Sequence, residues 1–336
     1  MIEFIKIFIS IAPVFLFLTA LVFLDSYKLV RLRSLVQTIL MGGLVGIVCF
    51  LVTTWILRRF QWDLDFYSRY ISPIFEESLK ASYLVYLMKK KKIGFMVDGA
   101  IFGFAVGAGF AAVENIDYLI SLRDSDLFVW IIRGFGTAVM HGGTTSILAI
   151  LSKSFSERHP SEKFFHFLPG LIVAIVIHSF FNQFIFEPHI MTVAQLIVLP
   201  VLIVMIFTKS EKDLRDWLEL GFDTDVFLLE YITQGRISQT KMGKYLDSMK
   251  SQFPGEIVAD MLCFLRIHLE LAVRAKGILL MRGTGFHVPS DPEITEKFRE
   301  MKFLEKSIGK TGKLAISPLL HGSTRELWQL YLVDKK

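Results

Sequence analysis

Residues 72–80 read Ser72-Pro73-Ile74-Phe75-Glu76-Glu77-Ser78-Leu79-Lys80, and they open a run that is otherwise apolar as far as Met88. What surrounds these two adjacent carboxylates and the amine decides the fold. The chain of 336 residues is 53% hydrophobic and contains 31 Phe, with a mean hydropathy of +0.50. That is too apolar for an ordinary soluble enzyme and fits a polytopic membrane protein with a soluble appendage. A charged side chain at the centre of a membrane helix costs from about 3 to more than 10 kcal/mol. Glu76, Glu77 and Lys80 therefore need partners at their own depth.

Charge is placed unevenly. Residues 1–208 hold 17 Lys/Arg and 14 Asp/Glu, and residues 209–336 hold 20 and 18. The net charge of +5 is thus spread thinly, and no basic stripe with interleaved aromatics points to nucleic acid. Two cysteines, Cys49 and Cys263, exclude a disulfide framework and a CxxC metal site.

Outward from the opening stretch, apolar runs recur at residues 4–24, 35–57, 71–88, 94–121, 128–152, 165–187 and 190–208. Each approaches the length of one membrane span, which predicts an all-α bundle of about seven spans. The first run has no basic leader and no small-residue cleavage site, so it is read as a retained helix. The odd loops carry Lys28, Arg31, Arg33, Lys89 to Lys92, Lys153, Arg158 and Lys163. The even loops carry Arg58, Arg59, Arg69 and Arg123 among Asp63, Asp65, Asp124 and Asp126. The positive-inside rule puts the odd loops and the C-terminus in the cytoplasm and the N-terminus outside the cell membrane.

The run 94–121 carries Gly99, Gly103 and Gly107 at intervals of four, a strip that lets a neighbouring helix approach closely. Glu114 lies seven residues past Gly107 on nearly the same face, so it should point into the bundle. From Lys209 the composition changes to mixed charge and amphipathic runs. Helices are expected at 210–220, 222–231, 238–251, 254–281 and 293–308. Two domains follow: a transmembrane bundle over 1–208, and a soluble, mostly helical, cytoplasmic domain over 209–336 that could bind a cytoplasmic partner. His268 and His287 read as ordinary packing or surface residues.

The polar residues embedded in the apolar runs are Glu76, Glu77, Lys80, Glu114, Asn115, His141, His178 and Asn182. Counted from the predicted ends of their helices, they fall in the outer half of the membrane on four separate segments. His178 and Asn182 are four apart and share a face, as do His141, Thr144 and Thr145. A carboxylate and histidines in a wet pocket can deprotonate water, alone or with a divalent metal, and direct it at a carbonyl. His, His and Glu make a catalytic zinc set, but no HExxH occurs, so a metal site would be assembled across helices. The same groups could form the proton relay of a proton-coupled transporter, or a purely structural network.

Glu76-Glu77-x-x-Lys80, Phe110-x-x-x-Glu114-Asn115, His141 and His178-x-x-x-Asn182, in that order on successive helices, resemble the PrsW family of intramembrane proteases. That family falls in a superfamily with the CAAX prenyl endopeptidases and the APH-1 scaffold proteins. The resemblance covers roughly residues 70–185. It implies cleavage of a single-span membrane protein of the anti-sigma-factor kind near the extracytoplasmic face, with release of a stress response. It also implies roles. Glu76 and Glu77 are the core acids, one of them activating water. His141 and His178, with Glu77 and Glu114, hold a metal such as zinc or stabilise the oxyanion, and Asn182 completes the oxyanion hole. Lys80 is expected to pair with Glu76, four residues back. A metal-free glutamate mechanism and a non-catalytic scaffold suit the same residues.

Overall fold

A computed structural model describes residues 2–25, 27, 30–122, 124–158, 164–183, 185–283, 286 and 292–320. Lys28, Arg123, Lys163 and His287, which figure in the sequence reading, lie outside the described residues. The chain divides into two compact units, Met1–Ser210 and Glu211–Lys336. No β-strand occurs among the described residues.

The first unit contains α1 (Ile2–Leu24), α2 (Leu32–Phe60), a single turn α3 (Leu64–Phe66), α4 (Ser72–Lys89), α5 (Met96–Ser121), a short α6 (Leu127–Ile131), α7 (Val139–Arg158), α8 (Leu168–Asn182) and the start of α9 (Pro188–Thr233). Helices α1, α2, α5 and α9 are each long and apolar enough to cross a membrane, while α8 is a shorter apolar helix. The expected run at 128–152 is extended: α7 continues to Arg158, and Lys153 is buried within it.

Helix α5 is the centre of this unit, with every residue from Met96 to Ala111 buried. It can be so because glycines remove side chains where its neighbours cross. A methyl group on Gly103 would lie 2.6 Å from the Thr145 carbonyl oxygen, and one on Gly107 would lie 2.2 Å from that of His141. On the α2 side, Gly109 would meet the Ile39 oxygen at 2.0 Å, and Gly42 of α2 would meet that of Val106 at 2.1 Å. The strip read from the sequence thus seats α7 against α5, with its closest approach at His141.

Two turns of this unit are π-helical. A π-helical turn, Tyr67–Ile71, joins α3 to α4, and a second, Ile132–Ala138, joins α6 to α7. Pro73 accounts for the first. It has no N–H to offer the carbonyls four and five residues back, those of Arg69 and Ser68. Side chains of α8 supply the missing donors: Ser179 Oγ to the Arg69 oxygen at 2.5 Å, and Asn182 Nδ2 to the Ser68 oxygen at 2.9 Å. In the second turn, Gln195 Nε2 of α9 donates to the carbonyls of Phe135 and Gly136 at 3.0 and 2.6 Å. Where Ser72-Pro73 reads as a helix start, the chain is therefore already helical from Leu64.

The second unit holds the remainder of α9, α10 (Lys241–Ser248), α11 (Gly255–Gly283) and α12 (Pro292–Ile316). Met242, Met261, Phe264, Leu271, Phe298, Leu304 and Ile308 are among its core residues. The expected breaks near residues 209 and 221 do not occur, and α9 is continuous. Composition changes there from apolar to charged, but Lys, Glu, Leu and Arg are all good helix formers. The expected helix 293–308 does end in a break, at Gly309 with φ 66°, after which the chain turns helical again to Ile316.

Candidate functional site

Four helices bring their polar residues to one end of the first unit: α4 near its start, α5 near its end, α7 near its start and α8 near its end. Glu77, Lys80, His141 and His178 are sealed, each at most 2% exposed. The side chains of Glu76 and Glu114 are 13% and 26% exposed, so the cluster opens on their side.

Lys80 sits at the middle. Its Nζ donates to Glu77 Oε1 at 2.8 Å and to His141 Nδ1 at 2.9 Å, and it lies 4.0 Å from the centre of the Phe110 ring. Glu76 Oε2 is 3.9 Å away. The expected ion pair of Lys80 with Glu76, four residues back, is present at that longer distance, and a closer one forms with Glu77, three residues back. Glu76 turns toward Ser72, whose hydroxyl donates to its Oε1. Glu77 faces inward between Lys80 and His178. A buried pair of this kind stabilises little by itself, but removing one partner costs about 3–5 kcal/mol.

The histidines are held in definite tautomers. An ammonium has no lone pair to offer, so His141 Nδ1 must accept from Lys80 and the ring proton sits on Nε2. That N–H points to Glu114 Oε2 at 2.9 Å. His178 Nδ1 is 2.9 Å from Glu77 Oε1, a carboxylate that can only accept, so its proton is on Nδ1. The Nε2 lone pair of His178 is left facing Glu76 Oε2, 3.9 Å away. The two rings meet edge to face, with centroids 4.8 Å apart.

Two carboxylate oxygens of the cluster, Glu76 Oε2 and Glu77 Oε2, are buried and accept no hydrogen bond. Glu76, His141 and His178 each offer a ligand atom, and the three atoms lie within 4.8 Å of one another. This donor set fits a divalent metal, since zinc takes two imidazoles and a carboxylate with a fourth position open. Glu77 behind His178 and Glu114 behind His141 supply the carboxylate support that metal-bound histidines commonly have. One exchange is needed: Lys80 must release the lone pair of His141 Nδ1 for that nitrogen to serve. Three carboxylates, one ammonium and the nearby guanidinium of Arg133 leave the cluster with a formal charge of −1 when both imidazoles are neutral. A cation is therefore favoured there.

Sequence reasoning names most of this cluster. Asn182 Nδ2 donates to the Ser68 carbonyl, and the hydroxyls of Thr144 and Thr145 bond back to carbonyls of α7. Glu77 and Glu114 stand behind the two imidazoles, while Glu76 takes the place among the ligand atoms. Arg133 is missed altogether, although it is the one Lys, Arg, Asp or Glu in the apolar run 128–152.

Compared with known families, residues 31–207 match the family model described as PrsW family intramembrane metalloprotease. No curated protein and no solved structure matches the chain.

Proposed function

The chain belongs to the PrsW family of intramembrane metalloproteases, and from that premise we propose that it cuts a single-span membrane protein at the cluster of Glu76, Glu77, His141 and His178. It is a membrane-embedded protease, so its substrates are membrane proteins met within the lipid. The finer reading is that the substrate is of the anti-sigma-factor class and is cut near the extracytoplasmic side. The N-terminus is then outside and the domain from residue 209 is cytoplasmic. The loop charges support that orientation, since the odd loops carry most of the Lys and Arg.

The observation that carries the mechanism is the pair of buried carboxylate oxygens without donors, Glu76 Oε2 and Glu77 Oε2, beside the open Nε2 of His178. Glu76, His141 and His178 are the residues that would hold a metal, with zinc the best match to their chemistry. When bound, such an ion supplies Lewis-acid polarisation of the scissile carbonyl and lowers the cost of ionising water.

The chain's own residues do the rest. With Glu76 in the ligand set, Glu77 Oε2 is the remaining buried oxygen without a donor, and we assign it the proton of the attacking water. Water oxygen bonds to the carbonyl carbon, the carbon–nitrogen bond breaks, and the proton passes from Glu77 to the departing amine. Glu77 Oε1 meanwhile fixes the His178 tautomer, and Lys80 compensates the carboxylate charge. We assign Asn182 to bracing the turn ahead of α4, through the Ser68 carbonyl.

The test is cleavage of a single-span substrate by the purified full chain in proteoliposomes. Glu77→Gln and His178→Ala should stay folded and lose cleavage. A chelator should abolish the wild-type activity and zinc should restore it. Undiminished proteolysis in both variants would reject the assignment of the site. Activity that survives exhaustive chelation would reject the metal but leave the glutamates.

A further inference from the structure

We propose that Arg133 is a positioning residue of this cluster, acting on His141 through the Glu114 carboxylate. The inference rests on the protease reading and adds to it a residue from outside the four helices that bear the cluster. Arg133 is the second residue of the π-helical turn Ile132–Ala138, and its side chain is 12% exposed.

The guanidinium is held on three sides by one stretch of α5. Its Nε donates to Asn115 Oδ1 at 2.9 Å, its Nη2 lies 3.4 Å from Glu114 Oε2, and its Cζ stands 3.5 Å from the centre of the Tyr118 ring. Asn115 is itself anchored, donating from Nδ2 to the Ser10 carbonyl of α1 at 2.7 Å. Nη2 is buried and makes no hydrogen bond, so what Arg133 brings to Glu114 is charge, while its Nε–H serves the Asn115 amide.

Glu114 Oε2 therefore stands between a guanidinium and the Nε2–H of His141. Among the described residues, Arg133 and His141 are the two polar contacts of this carboxylate, which is otherwise a quarter exposed and free to choose other rotamers. Arg133 selects the rotamer that reaches His141. His141 in turn offers its other nitrogen toward Lys80 and the ligand group. In an unbroken α-helix, residues eight apart point about 80° away from each other. The wider π turn closes that angle, so that Arg133 and His141 both address the end of α5.

Arg133→Gln should lower kcat about 30-fold, the size expected when a group that orients a ligand is lost, with KM changed less than about twofold. Arg133→Lys, which keeps the charge beside Glu114, should recover most of that loss. Glu114→Gln combined with Arg133→Gln should be no worse than Glu114→Gln alone, because the arginine acts only through the glutamate. Multiplying losses in the double variant, or a loss that Lys does not relieve, would overturn the proposal and leave Arg133 as packing between the turn and α5.

Wild type and Glu77→Gln run alongside report separately on the protease reading. Should that reading fail, thermal unfolding in detergent applies the test without turnover. Arg133→Gln and His141→Gln should then be coupled in the native background and independent in a Glu114→Gln background. Independence in both would equally overturn the proposal.

Discussion

Gly107→Ala should disable the protein through the position of one ring, without touching a reacting group. The new methyl would lie 2.2 Å from the His141 oxygen, 2.5 Å from the His141 carbonyl carbon and 2.7 Å from Gly142 Cα, all backbone atoms that cannot turn aside. Restoring ordinary contact requires α7 to retreat by about 1 Å. Overpacking of this kind costs about 1–3 kcal/mol. A misplacement of about 1 Å in a catalytic group costs about 100-fold in rate. Gly99→Ala is the control on the same strip, since its methyl would meet the Ala149 oxygen at 3.4 Å, close to ordinary contact. It should leave cleavage unchanged and could add several tenths of a kcal/mol through helix propensity. Gly103→Ala, at 2.6 Å from the Thr145 oxygen, should destabilise nearly as much as Gly107→Ala but reduce kcat less, because its clash is one turn further from His141. The assay pairs substrate cleavage in proteoliposomes with thermal unfolding of the same preparations. Full activity in Gly107→Ala, or equal damage at Gly99, would refute the claim that this crossing sets the site.

Other expectations follow from single contacts. Lys80→Met removes the donor that occupies His141 Nδ1 and the charge that opposes a cation, so zinc affinity measured by chelator competition should rise at least tenfold. The same variant leaves Glu77 without its buried partner, so its thermal midpoint should drop without metal and recover as zinc is added. A fall in zinc affinity would show that Lys80 supports the ligand set. Asn182→Ala should cost about 1 kcal/mol of stability and less than tenfold in kcat, since it deletes one hydrogen bond to a helix carbonyl. A loss of 100- to 1000-fold in kcat at unchanged stability would return Asn182 to the oxyanion hole. Gly309→Ala should destabilise the second unit by about 1–3 kcal/mol from its backbone alone (φ 66°, ψ −177°), as nothing lies within 4 Å of the added methyl, and unfolding would measure it.

Much of the site can be read from the chain because a carboxylate or imidazole in an apolar run is conspicuous. Glu76, Glu77, Glu114, His141 and His178 all declare themselves that way. What cannot be read is which way each one turns. Which of Glu76 and Glu77 lies closer to Lys80 depends on one residue of helical phase, and spacings of three and four are both compatible with an α-helix. The π turns shift that phase by one residue and leave no mark in the hydropathy pattern. The Asn182 contact is hidden for the same reason, because the carbonyl it serves is exposed only by the turn ahead of Pro73. Arg133 is a plainer omission, a lone charge in an apolar run that the same rule identifies. In the second unit, the mixed charge suggests an interrupted chain, yet helix propensity carries α9 straight through.

The proline ahead of the paired glutamates has an effect that reaches beyond its own helix. Two apolar surfaces can slip along each other by a fraction of a turn with little change in contact. A carbonyl served at 2.5 Å by Ser179 and another at 2.9 Å by Asn182 permit no such sliding. Ser179 immediately follows His178 and Asn182 lies one turn beyond it, so the two act as a fixed stop that sets how far the imidazole stands along the axis of the glutamate helix. A defect in one helix thereby becomes the gauge for another, and the 2.9 Å between His178 and Glu77 is the dimension it holds.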